Sequence, residues 1–216
     1  MIKIHPTVRE VVLKEIEAYY ALSAGFMNMS SYAYRIRPQI EAITKKQVTI
    51  NSLVVSLSRL RKELKKGEPL LEEVKITNIT TKLPLSEVTY ENTSTIITSL
   101  DRFYEKVPIS REDFFTSTVG TSELTIVCSS HLIKKVLKHF PFKPKIVMEK
   151  LAAIGISFGP EQIDIPNTIF SLMSIPARAR INILEIVSTY TELIFVVSEK
   201  DFPKTVGLFS ELHHKG

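Results

Sequence analysis

Five cations crowd the end of one helical stretch, "TINSLVVSLSRLRKELKKG": Arg59, Arg61, Lys62, Lys65 and Lys66, with Ser56 and Ser58 just ahead of them. Cationic side chains on one helix can neutralise phosphates, while polar neighbours can reach base edges. Arg35 and Arg37 stand on the preceding helical stretch. This pattern points to a polyanion such as duplex DNA. The competing reading is a solvated basic face on a packing or dimerisation domain, and residue types alone leave both open.

Other chemistries find no foothold. The five histidines, His5, His131, His139, His213 and His214, form no helical pair suited to a metal. No phosphate-binding glycine loop, nucleophile elbow or paired-cysteine motif occurs, and the chain has only seven glycines. Its one cysteine, Cys128, lies in "LTIVCSS" and reads as a buried strand thiol. A single cysteine rules out an internal disulfide framework and fits a reducing cytosol. No constellation suited to catalysis can be assembled, so we read the chain as non-enzymatic, with no metal and no cofactor.

These residues need elements to hold them. At 216 residues, with 44% apolar and 24% charged content, the chain is long enough for one large or several small domains. Its apolar runs are strand-sized and fall short of the roughly 18–20 residues needed to span a bilayer, so we expect a cytoplasmic protein. The net charge of +5 is uneven. Residues 1–67 hold 12 Lys/Arg against 5 Asp/Glu, whereas residues 68–216 hold 16 against 18. The basic character belongs to the first third.

That third reads as three helices. Pro6 to Tyr20 puts Val8, Val11, Val12, Ile16 and Tyr19 at helical spacing. "MNMSSYAYRIRPQIEAITKK" follows, with Ser30 or Ser31 as its cap and Pro38 kinking or dividing it. The basic helix is third, with Gly67 as its stop. A helix-turn-helix is one reading of this unit. A ribbon-helix-helix, opening with a short strand near "KKQVT", is another.

"GEPLLEE" breaks the composition, and we place a domain boundary there. Beyond it, strands rich in Ile, Thr and Val alternate with helices: "VKITNIT", the helix "NTSTIITSLDRFYEKV", a hairpin around Gly120 and Thr121, and "HLIKKVLKHF". The order then recurs in "LAAIGISF", "NTIFSLMSIPARAR", "INILEIVST", "TELIFVVS" and "DFPKTVGLFSEL". A shift of 69 residues superposes Glu123-Leu124 on Glu192-Leu193, Val127 on Val196, Ser129 on Ser198, Lys135 on Lys204 and Phe140 on Phe209. We read a duplicated unit. The expected fold is α+β: two ferredoxin-like βαββαβ units, 72–149 and 150–216, after a helical domain, 1–67.

"INILEIVSTYTELIFVVSEKD" resembles the second strand, turn and third strand of ACT domains, most closely those in the regulatory half of aspartokinases. The resemblance spans about residues 74–212, and the aspartokinase catalytic half has no counterpart. It implies paired domains, a homo-oligomer, and a small effector, usually an amino acid, bound between copies. The contacts it implies come from the loop before the first helix and the start of the second strand. On this chain those are Asp164, Pro166, Asn167 and Thr168, with Ile181, Asn182 and Ile183. In the first copy they are Glu91, Asn92, Thr93, Phe114 and Phe115. The second copy lacks a last strand of its own, and "VKITNIT" is available to fill the gap. Two functions follow: a metabolite sensor whose basic helical domain binds DNA, or a regulatory subunit that controls a partner enzyme of amino-acid metabolism.

Overall fold

The computed structural model describes residues 3–65, 71 and 73–213. The chain forms two compact units, Met1–Glu72 and Glu73–Gly216.

The first unit has four described helices: α1 (Ile4–Lys14), α2 (Ile16–Ala24), α3 (Met29–Thr44) and α4 (Ile50–Leu64). The single helix expected over Pro6–Tyr20 is broken at Glu15, whose backbone is extended (φ −111°, ψ 105°). The break resets the helical phase. Ala18 and Leu22 therefore face the core in place of Ile16, which is exposed. α3 runs unbroken through Pro38. Pro38 lies on the exposed side, where water can serve the carbonyl left without an N–H. Its cap is Asn28, ahead of the expected serines, accepting from Ser31 N at 3.0 Å. Thr49 caps α4, so no strand precedes that helix. Val8, Val12, Leu22, Ile36, Ile40, Leu53, Leu57 and Leu60 form one core. Gly67, the expected helix stop, lies outside the described residues.

The second unit is a six-stranded sheet with helices. Its elements are β1 (Ile76–Glu91), α5 (Ser94–Lys106), β2 (Phe115–Val119), β3 (Glu123–Ser129), α6 (Ile133–His139), β4 (Ile146–Phe158), α7 (Thr168–Arg178), β5 (Glu185–Ser188), β6 (Glu192–Ser198) and α8 (Phe202–His213). The strand order is β2-β3-β1-β4-β6-β5, with every pairing antiparallel.

The two long strands make this order possible. β1 has 16 residues and β4 has 13, and they pair along nearly their whole length. The distal part of β1, Leu85–Glu91, also pairs with β3, while Leu151–Ser157 of β4 pairs with β6. Residues Ile76–Lys82, the start of β1, lie beside Ala153–Phe158. Within the segment "VKITNIT", Ile76–Thr80 thus form a strand beside Gly155–Phe158 of β4. Strand β4 crosses the expected 149/150 boundary, and β1 and β4 each pair on both sides within one sheet.

The 69-residue repeat is visible in burial. In β3, Leu124, Ile126 and Cys128 turn toward the helices; in β6, Leu193, Phe195 and Val197 do the same. One core gathers these β3 residues with Val88, Tyr90, Ile96, Phe103, Val136 and Phe140. The other gathers the β6 residues with Ile154, Ile156, Leu172, Ile175, Ile181 and Phe209. Phe140 stacks on Tyr90 with centroids 4.8 Å apart, and Phe209 stacks on Phe195 at 5.2 Å. Val127 and Val196, one residue out of phase, point to the opposite face and join Leu85, Leu151 and Ala153 in a third cluster.

Candidate functional site

In the second copy, α7 opens at Asn167, whose backbone is left-handed (φ 69°). Asn tolerates this conformation better than most residues. Thr168 is buried, and its Oγ1 is 2.9 Å from both the Gln162 and Ile165 carbonyls, folding the loop onto the helix start. Asp164 and Pro166 are exposed in that loop. Gln162 Oε1 is buried there without a hydrogen-bond partner.

Ile181 is a core residue, and its N–H donates to the Pro176 carbonyl. Asn182 is exposed and Ile183 half-buried. All three precede β5, which begins at Glu185. They belong to the connection into that strand.

In the first copy, Thr93 caps α5, its Oγ1 accepting from Ile96 N at 3.3 Å. Asn92 clamps the β2–β3 hairpin: Asn92 Nδ2 donates to the Gly120 carbonyl at 2.6 Å and its N–H to the Ser122 carbonyl at 2.9 Å. Phe115 stacks on Phe103 at 5.4 Å.

Beside Thr93 lies a cavity of about 370 Å³, whose lining includes Tyr90, Glu91, Ile96, Phe142, Lys143 and Lys145. Tyr90 is 1% exposed, and its hydroxyl has no hydrogen-bond partner. Burial pushes its pKa up to about 12, so the hydroxyl keeps its proton. Lys145 pairs with Glu123, which raises its pKa. Sequence reasoning missed Tyr90, Phe142, Lys143 and Lys145. The signal was present in "HFPFKPKI", where Pro141 and Pro144 mark an extended connection carrying two cations.

Two of the five cations in the basic cluster, Arg59 and Arg61, are engaged. Arg59 Nε pairs with Glu63 Oε1 at 3.2 Å. Arg61 is half-buried, its guanidinium lying against the Gly25 backbone and its Nε buried. Lys62 and Lys65 are exposed, and Lys66 lies outside the described residues. On α3, Arg35 pairs with Glu15 and Arg37 with Glu41. Among the described residues no group of three or more metal-ligating side chains occurs, and no helix is long and apolar enough to cross a membrane.

No protein-family model matches the chain, and no curated protein shows significant similarity to it. Solved structures do. The aspartate kinase of Clostridium acetobutylicum superposes with a TM-score of 0.54 at 14% identity, covering 66% of this chain and 36% of that one. The chain thus spans about a third of that enzyme. The sheet unit has the fold of aspartokinase regulatory domains. The regulatory subunit of aspartate kinase from Thermus flavus agrees, with a TM-score of 0.51 at 9% identity over 64% of this chain and 98% of that subunit. Aspartate kinase from Synechocystis gives 0.53 at 15% identity over 69% and 29%. At these identities the likeness is one of fold.

Proposed function

We propose that the chain is a non-catalytic regulatory protein of the cytosol that controls a partner enzyme of amino-acid metabolism. Its sheet unit is read as two ferredoxin-like ACT units, β1-α5-β2-β3-α6-β4 and β4-α7-β5-β6-α8-β1, each borrowing its last strand from the other. The observation that carries this reading is that β1 and β4 pair along nearly their whole length and join both halves in one six-stranded sheet. The near-complete coverage of a solved regulatory subunit supports it.

The effector is a small metabolite, an amino acid by preference. Its carboxylate belongs at the helix starts, where backbone N–H groups lack intrahelical acceptors and the dipole favours an anion. The assigned contacts are Asp164, Asn167, Thr168, Ile181, Asn182 and Ile183 in one half, with Asn92 and Thr93 in the other. A homo-oligomer, with copies meeting at the sheet edges β2 and β5, would bring the two sets together. The helical unit then serves assembly. DNA binding finds little support in this unit, because Arg35 and Arg37 of α3 and Arg59 of α4 are each paired to a carboxylate and Arg61 is packed against backbone.

The test is capture of the tagged chain from its own cells, followed by assay of the eluate for ATP-dependent phosphorylation of aspartate, with and without each amino acid. Retained activity that one amino acid changes supports the reading. An eluate without such activity, or one indifferent to every amino acid, counts against it.

A further inference from the structure

In the helical unit, α2 packs Ala18 and Leu22 into the core, which leaves Ile16, Tyr20 and Ala24 on the side turned to solvent. At helical spacing these three form one i, i+4, i+8 stripe. Ile16 is 48% exposed and Tyr20 38%. The chain leaves the helix through Gly25, whose left-handed backbone (φ 90°) lets the N–H groups of Gly25, Phe26 and Met27 all turn to the Ala21 carbonyl. This return lays Phe26, 65% exposed, edge-on against the Tyr20 ring with centroids 5.6 Å apart. A surface helix carries charges on its outer face, whereas a helix apolar all round has neighbours on both sides. The only charge on α2 is Glu17.

We propose that this stripe, with Phe26 beside it, is where two copies of the chain pair, α2 packing antiparallel on α2 of the second copy. The inference rests on the assembly role read above for the helical unit, and not on the effector or on pairing of the sheet edges.

The stripe is self-complementary about Tyr20. With a two-fold axis at Tyr20, that ring meets its own copy, and at both ends Ile16 lies opposite Ala24 of the second copy, a large side chain against a small one. Rows of side chains four apart are the ridges by which helices interdigitate. A parallel arrangement is unfavourable, because it sets Glu17 beside Glu17 and aligns the helix dipoles. In the antiparallel one, Glu17 faces Ser23 of the second copy, at the helix end where the Arg61 guanidinium rests against Gly25. Among the described residues neither Glu17 nor Arg61 has an ion pair within the chain, so the pairing brings opposite charges together. Three large apolar side chains per copy make a contact near the small end of stable interfaces, so the association should be roughly micromolar.

The experiment is disulfide trapping in the full chain, where the one native thiol, Cys128, is buried. Tyr20→Cys should form a disulfide dimer under mild oxidation, because residue 20 sits on the axis. Ala24→Cys alone should not, since its two copies stand about 12 Å apart along the axes, beyond the roughly 7 Å that a disulfide tolerates. Ala24→Cys mixed with Ile16→Cys should form mixed dimers. Sedimentation equilibrium across the micromolar range gives a second readout. Ile16→Asp, at an exposed position, should keep the wild-type thermal midpoint and halve the mass of the assembly. That change runs from tetramer to dimer where the sheet edges also pair, and from dimer to monomer where they do not, so the two pairings fail separately. No dimer from Tyr20→Cys, equal trapping of Ala24→Cys, or a mass unchanged by Ile16→Asp would overturn the inference. The first and last are the results expected if the sheet unit of the same chain, or a different protein, covers the stripe.

Discussion

Leu85 of β1 and Leu151 of β4 face each other directly across the seam between the two halves of the sheet, 1% and 3% exposed. Beside them lie Val127 and Val196, the corresponding residues of the two repeats. The seam is a packed core, so neither half can unfold without exposing it. Leu151→Ala should cost about 2–5 kcal/mol, the usual range for a buried leucine. Urea denaturation followed by circular dichroism should show the sheet unit lost in one step, at a lower midpoint in the variant. Two separate sheet transitions would contradict the shared-strand architecture.

Glu87 lies on the same face and is 3% exposed, with Oε2 lacking a partner. Burial, with Glu185 adding repulsion, pushes its pKa up to about 7. Burial raises the pKa of Glu185 as well. The native state therefore keeps a proton that the unfolded chain releases above the ordinary carboxylate range. Stability from this group is full at low pH and falls as pH rises toward 7, then levels off. The urea midpoint should be higher at pH 5 than at pH 7.5. Glu87→Gln should flatten that slope and add about 1–2 kcal/mol at pH 7.5, after allowance for solvent screening.

Gly155 sits in β4 where any side chain would meet Thr80 Oγ1 and the Glu192 carboxylate, themselves hydrogen-bonded at 3.2 Å. A methyl group there must push the β1 and β6 side chains apart. Gly155→Ala should destabilise by about 1–3 kcal/mol, read as a lower thermal midpoint.

The basic helix α4 exposes Lys62 and Lys65, while Arg59 is paired with Glu63. Among the described residues of the basic cluster only Lys62 and Lys65 are exposed without an ion pair, and so few cations release few counterions. Gel retardation should show at most weak binding to duplex DNA at low salt, lost by physiological salt and without sequence preference. Discrete, salt-resistant complexes would restore the DNA reading.

The sheet was legible because its periodicity is strong. Leu124, Ile126 and Cys128 alternate with polar or opposite-face residues, and Leu193, Phe195 and Val197 repeat the pattern 69 positions later. The helix capped by Thr93 was legible for a similar local reason. The length of β1 was not. "TKLPLSEVTYE" contains a proline and loses alternation where register shifts occur between Lys82, Leu85 and Glu87, so its continuation from "VKITNIT" was hidden. The break at Glu15 was hidden too, because Val8 to Tyr19 keeps helical spacing on paper, although the backbone turns at one residue. In the candidate site, the helix starts were readable from caps. The Tyr90 hydroxyl was not, since its burial without a partner depends on packing against residues distant in sequence, such as Phe140.

We propose that the sheet unit senses small carboxylate metabolites. A thermal-shift panel of the full chain against the twenty amino acids at millimolar concentration tests it most directly, since a ligand that binds only the native state raises the unfolding temperature. One or a few amino acids should raise the midpoint, and Asn167→Gly, which keeps the left-handed backbone, and Asn182→Ala should reduce that shift, with the ligand-free midpoint unchanged in Asn182→Ala. No shift with any amino acid, or an equal shift in both variants, would contradict the account.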